Sequence, residues 1–300
     1  MFLFFQSIPF SLAVFWRFLI VFPFILVPAF VIIAGTALIF PPVALLLTAV
    51  VYNFWVLVGI RAGLGAQGYG NGPDFFALVR WAFVFTLFQT AYTIFLGALV
   101  WALVTGASML GYSELAPLLS PHALQDWWGL LTGAPLLAGS AAAFWLISTA
   151  LWSMSLVPQA AAAWSSTTKA PPTNLFSGFG AGFFGLFLVT TASTALILWT
   201  RATDHMLMFF ARLIKWAIDE YTGLLELPPT VGELLPGLLG MLLWVWASCW
   251  VFGAAALAFI HHRRRVERAA LSRGKEIAPP TDDIRNLRQA RERAQQGLAD

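Results

Sequence analysis

Charge is scarce in this sequence. Asp, Glu, Lys and Arg make up 10% of the 300 residues, and hydrophobic residues 59%. A soluble domain averages about 25% charged and roughly 45–50% apolar. So little polar surface cannot cover a globule in water, and a water-soluble domain is excluded. Cysteine is nearly absent too. The single Cys249 rules out an internal disulfide and a cysteine-based zinc site. It lies in an apolar run and reads as a small buried hydrophobe. No Lys or Arg precedes the apolar residues of MFLFFQSIPF. The charged n-region of a cleavable signal is missing there, so this stretch is expected to be retained at the membrane surface ahead of the first span.

What the chain does have is long apolar runs. A spanning helix needs about 20 mostly apolar residues, because a rise of ~1.5 Å per residue must cover ~30 Å of hydrocarbon. Six stretches qualify, at about 18–39, 43–60, 81–105, 134–157, 178–200 and 236–260. The expected fold is all-α, a polytopic integral membrane protein. Six transmembrane helices fill residues 1–262, and a basic cytoplasmic tail follows at 263–300. Phe40-Pro41-Pro42 alone separates spans one and two, and paired prolines force a tight hairpin. Pro23 and Pro28 are expected to kink span one, and Pro158 to end span four.

Lys and Arg set the orientation. Ten of the 17 follow His262, beginning with HHRRRVER. That is a stop-transfer cluster, so the C-terminus is expected in the cytoplasm. Six spans then put the N-terminus there as well, in the inner membrane of a bacterial cell. The outer connection 201–235 holds Asp204, Asp219, Glu220, Glu226 and Glu233 against Arg201, Arg212 and Lys215. Within it Arg212, Lys215, Asp219, Thr222 and Glu226 recur at steps of three and four, away from Phe209, Leu213, Trp216, Leu224 and Leu227. This is the pattern of an interfacial amphipathic helix on the outer side, about 204–227. Thr203 or Asp204 would cap it. A short outer helix is expected from Ser120-Pro121 through HALQDWWGLL. In the tail, Asp282 reads as a helix cap and Gly297 as a stop. Arg263, Arg264, Arg265 and Arg268 are its candidate contacts to anionic lipid or a partner.

One motif needs separate treatment. GLGAQG, at 63–68, fits G-x-G-x-x-G, the phosphate cradle of dinucleotide-binding folds. That motif works only after a strand and at the start of a helix, with an acidic residue ~20 positions on. Here a spanning helix precedes it, and another, WAFVFTLF, lies where the acid should be. The glycines read as a flexible inner turn between spans two and three.

No Asp, Glu, Lys, Arg or His lies near a span centre, which argues against ion pumping and proton-coupled transport. The polar candidates are Asn53 midway along span two, Gln89 in span three, and Thr190, Thr191, Ser193 and Thr194 in span five. Such groups either line a solute path or bond across helices, where each bond is worth about 0.6–2 kcal/mol. Span five opens SGFGAGFFG. Ser177, Ala181 and Gly185 are four apart there, as are Gly178 and Gly182. Small residues at that spacing let helix backbones approach closely. On the outer side His122 and Asp126 lie one helical turn apart, and Asp204 and His205 open the interfacial helix. Two imidazoles and two carboxylates form a candidate divalent-metal set.

No G-x-S-x-G, no H-E-x-x-H and no carboxylate pair within a span appears. No catalytic residue is assigned, and neither a cofactor nor a nucleic-acid partner is expected. The leading class is a non-catalytic scaffold or accessory subunit of a membrane complex, with other membrane proteins or a second copy as partners. The alternative is a channel or transporter for a small neutral or lipid-like solute. A third class is a membrane enzyme or metal binder that uses the outer His/Asp cluster. A transporter should aim Asn53 and Gln89 into one cavity, whereas a scaffold should pack them against neighbouring helices. The orientation is checked with reporter fusions. A fluorescent protein fused after Asp300 should be bright and alkaline phosphatase fused there silent, whereas phosphatase inserted in 106–133 should be active. The opposite pattern would invert the topology.

Overall fold

The computed structural model describes residues 2–69, 74–109, 135–164, 180, 182–222 and 230–272. Among them every regular element is an α-helix: α1 (Phe2–Ile39), α2 (Pro41–Ala66), α3 (Phe75–Met109), α4 (Pro135–Trp164), α5 (Phe183–Trp199), α6 (Ala202–Thr222) and α7 (Val231–Ser272). Lipid offers no partner to a backbone N–H or C=O, and a helix satisfies both internally. Among the described residues five helices are long and apolar enough to cross a membrane, namely α1, α2, α3, α4 and α7. The count is six if α5 and α6 form one bent span. Helices of this length and hydropathy place the chain in a membrane as a multi-pass protein. The described residues up to Phe259 form one compact unit and those from Ile260 onward another. The contacts described next belong to the first.

The core is built on α7. Its apolar stretch is 78% buried, against 17% for α1 and for α3. Between positions 245 and 259 only Trp246, Ser248 and Leu257 are not fully buried. The run WASCWVFGAAALAF mixes rings with small residues, and small residues let neighbours come close. A Cβ on Gly59 of α2 would collide with the Phe252 ring. One on Gly63 would lie 3.1 Å from the Ala256 Cβ, and one on Gly253 3.1 Å from the Phe10 ring.

α1 reaches α7 through one face. Its buried residues are Leu3, Ser7, Ser11, Val14, Phe18 and Phe22, spaced three and four apart, so they form a single stripe. Phe4 meets Trp250 edge-on at 5.2 Å between centroids, and Phe18 meets Phe252 at 5.6 Å. Trp250 Nε1 donates to Ser7 Oγ at 2.8 Å. Phe4 and Phe18 are about 21 Å apart along α1, yet both touch α7 within positions 250–252. α1 therefore crosses α7 instead of running along it.

Several sequence expectations change here. The first residues are not a separate element, because Phe2 begins a continuous helix that ends at Ile39. Pro9, Pro23 and Pro28 lie inside it, and Pro158 lies inside α4, which continues to Trp164. Each proline removes one N–H but leaves the remaining ladder intact, and in lipid the helix has no better alternative. Only Phe40 separates α1 from α2, since Pro41 and Pro42 are the first helical residues. Proline suits that position because its missing N–H would be unpaired anyway.

GLGAQG is not a turn throughout. Gly63 and Gly65 are helical, and α2 ends at Ala66. Gly68 then takes a positive φ of 82°. Its N–H bonds to the Gly65 carbonyl at 3.2 Å, and the Tyr69 N–H to the Leu64 carbonyl at 3.0 Å. This is a Schellman cap, which glycine enters without a Cβ penalty.

The expected amphipathic helix is α6, and it starts at Ala202, earlier than expected. α5 and α6 meet at a 54° bend. Arg201 at the bend has φ 52°, and its Nε lies 2.9 Å from Asp204 Oδ2. Asp204 is therefore a first-turn acid rather than the cap, placed where the helix dipole favours a carboxylate.

The glycine contacts yield a stability prediction. Gly59→Ala drives a methyl into the Phe252 ring and should destabilise the bundle by about 1–3 kcal/mol, the usual range for overpacking. Gly35→Ala, with nothing within 4 Å, should be neutral or stabilising by up to ~1 kcal/mol. Thermal unfolding of the two variants in detergent separates the cases.

Candidate functional site

An amide surrounded by lipid and apolar side chains is costly unless it finds a partner. Three amides on α2, α3 and α4 find one another. Asn53, midway along α2, is 1% exposed. Its Nδ2 donates to Gln89 Oε1 of α3 at 2.9 Å. The same Nδ2 also lies 3.0 Å from Thr86 Oγ1 and 3.2 Å from the Ala49 carbonyl. Thr86 Oγ1 donates in turn to the Ala82 carbonyl at 2.8 Å. From α4, Gln159 Nε2 lies 3.5 Å from Asn53 Oδ1 and 3.4 Å from Ser155 Oγ. Gln159 is fully buried. The result is a head-to-tail chain of carboxamides, Gln159 to Asn53 to Gln89, with one member on each of three helices. Both ends are open: Gln89 Nε2 has no acceptor and Gln159 Oε1 has no donor.

Asn53 and Gln89 are legible in the sequence as amides inside apolar runs. Gln159 is not, because it follows Pro158 and reads as lying past the end of a span. The structure carries α4 through that proline and so brings Gln159 into the bundle. Thr86 carries a weaker signal. It precedes Gln89 by three residues and shares its helix face.

The span-five hydroxyls have other roles. Thr190 and Thr194 donate to the Leu186 and Thr190 carbonyls, each at 2.8 Å on their own helix. Ser193 Oγ donates to the Ala247 carbonyl of α7 at 2.8 Å and ties α5 to the core. Thr191 Oγ1 is buried without a partner. In the small-residue set, a Cβ on Gly185 would fall 2.9 Å from Leu3 Cδ2, and one on Gly182 3.4 Å from Ala258 Cβ. These two glycines pack inside the bundle. Ser177, Gly178 and Ala181 lie outside the described residues.

The outer His/Asp set is not assembled as far as the structure describes it. His122 and Asp126 lie outside the described residues, and Asp204 is paired with Arg201. His205 lines a cavity of about 380 Å³ between α6 and α7, with Phe209, Arg212 and Pro236. Among the described residues no three His, Cys, Asp or Glu side chains are placed to share a metal ion. In the second unit Arg263 Nε pairs with Glu267 Oε1 at 2.7 Å, and Arg264, Arg265 and Arg268 are exposed. No protein-family model, no curated protein and no solved structure matches this chain.

The amide chain can be weighed by a double-mutant cycle. Asn53→Leu should destabilise the protein by about 1–3 kcal/mol, because it strands Gln89 Oε1 and leaves Gln159 Nε2 only Ser155 Oγ. Combined with Gln89→Leu, it should reveal a coupling of about 0.6 kcal/mol and no more than ~1.7, the range for polar pairs in membranes. Denaturant unfolding in mixed micelles measures both, and zero coupling would mean that the two amides are not bonded.

Proposed function

We propose that this chain is a non-catalytic scaffold or accessory subunit of a membrane assembly. In this reading it sits in a cell inner membrane with six spans and both termini in the cytoplasm. α5 crosses alone, its 17 residues covering about 26 Å, and α6 lies in the outer interface.

The contrast between the centre and the rim of the bundle carries the reading. The two amides that a solute path would display are bonded to each other between packed helices. The outward faces of α1 and α3 are bare by comparison. Phe24 is 78% exposed and Val31 63% on α1, and Phe95 is 67% and Trp101 64% on α3. Lipid can solvate such faces. A partner's helices can do so with better van der Waals complementarity, which is the force that associates helices in a bilayer. The exposed Arg264, Arg265 and Arg268 add a basic handle for anionic headgroups or an acidic partner.

The test is purification from native membranes in mild detergent, with mass spectrometry of what is retained. One membrane protein in fixed stoichiometry is expected, and it should be lost when residues 263–300 are deleted. A chain that emerges alone, as monomer or homo-oligomer, would overturn the assignment and favour transport.

A further inference from the structure

We propose that the carboxamide chain Gln89–Asn53–Gln159 is a binding site for one small neutral molecule that both accepts and donates a hydrogen bond, either water or an amide-like solute of similar size. This goes beyond the scaffold assignment and does not depend on it. The two open ends motivate it, Gln89 Nε2 with no acceptor and Gln159 Oε1 with no donor.

The open ends do not depend on how the amides are turned. Turning one terminal amide over sets like against like at Asn53. Turning all three over reverses the chain. In either direction an NH2 group is left at one end and a carbonyl at the other, because each amide carries both. Both ends hang from the single carboxamide of Asn53. Buried groups of this kind are left open only at a cost, which is greater where no bulk water can reach them.

The same surroundings select the ligand. α4 contains no Asp, Glu, Lys, Arg or His, α2 contains only Arg61 and α3 only Arg80. A charged ligand would find no counter-ion beside Asn53, and an unpaired charge at this depth is strongly disfavoured. A neutral molecule with both a donor and an acceptor can serve either open end without any charge. It has to be small, because Asn53 is 1% and Gln159 0% exposed.

The experiment uses the full chain in lipid nanodiscs, labelled with 15N at glutamine and observed through its side-chain NH2 resonances. Gln89→Met and Gln159→Met assign the two relevant signals by their disappearance. The expected result is a cross-peak between the Gln89 NH2 and a long-lived water. Titration with acetamide should then shift Gln89 and Gln159 alone and remove the water signal. A ligand of four non-hydrogen atoms binds no tighter than roughly tens of micromolar, so the titration runs through the millimolar range. A water cross-peak that acetamide leaves unchanged assigns the site to water. Absence of both the water signal and a selective shift would overturn the proposal, as would equal shifts at every glutamine. If Gln159→Met fails to fold, Gln159→Asn keeps the amide but withdraws it by one methylene, and it should weaken the acetamide response several-fold.

Discussion

The bundle depends on the fit between α7 and the helices around it. In a bilayer the hydrophobic effect does not drive helices together, because lipid tails are as apolar as the side chains. What remains is close packing and the pairing of polar groups. Phe252 supplies the first. Its ring occupies the space that a side chain at Gly59 would need, and it meets Phe18 at 5.6 Å between centroids. α1, α2 and α7 are brought together at that one ring. Trp55 extends the contact by meeting Phe18, Phe22 and Trp244.

Polar groups supply the second force, and they are used sparingly. Most hydroxyls bond back to their own helix, as Thr48 does to the Ala44 carbonyl and Thr149 to the Trp145 carbonyl. Such bonds satisfy the side chain without linking helices. The links that do cross are few and placed where helices meet: Ser193 to α7, Trp250 to Ser7, and the amides of α2, α3 and α4. They select one register among packings that van der Waals contact alone would leave close in energy. The amide chain differs from the others in leaving a donor and an acceptor over.

Local signals and tertiary structure disagree in an instructive way around proline and glycine. Pro158 looks like a stop, because in water a helix loses little by ending there. In lipid, ending would expose several more backbone groups, so α4 runs on and delivers Gln159 to the interior. GLGAQG shows the converse. Read locally its glycines are a loop, yet Gly63 faces Ala256 and only Gly68 has the left-handed backbone of a cap. The glycine at 63 answers a neighbour that is 193 positions away, which no local pattern can encode.

By itself the sequence determined the class of the molecule. Long uncharged runs and scarce charge point to helices in lipid, and the polar stripe at 212, 215 and 219 marked the amphipathic helix α6. These are properties of composition and period, so they survive without knowledge of contacts. Two amides of the candidate site were visible for the same reason, since Asn53 and Gln89 stand out against apolar neighbours. Only the tertiary structure decided that α7 is the buried centre, that the first turns of α1 cross it, and that Gln159 completes the amide chain. Each of those depends on which helix lies beside which. In a bilayer that choice is made by shape and by a few hydrogen bonds, and hydropathy is nearly the same for every apolar face.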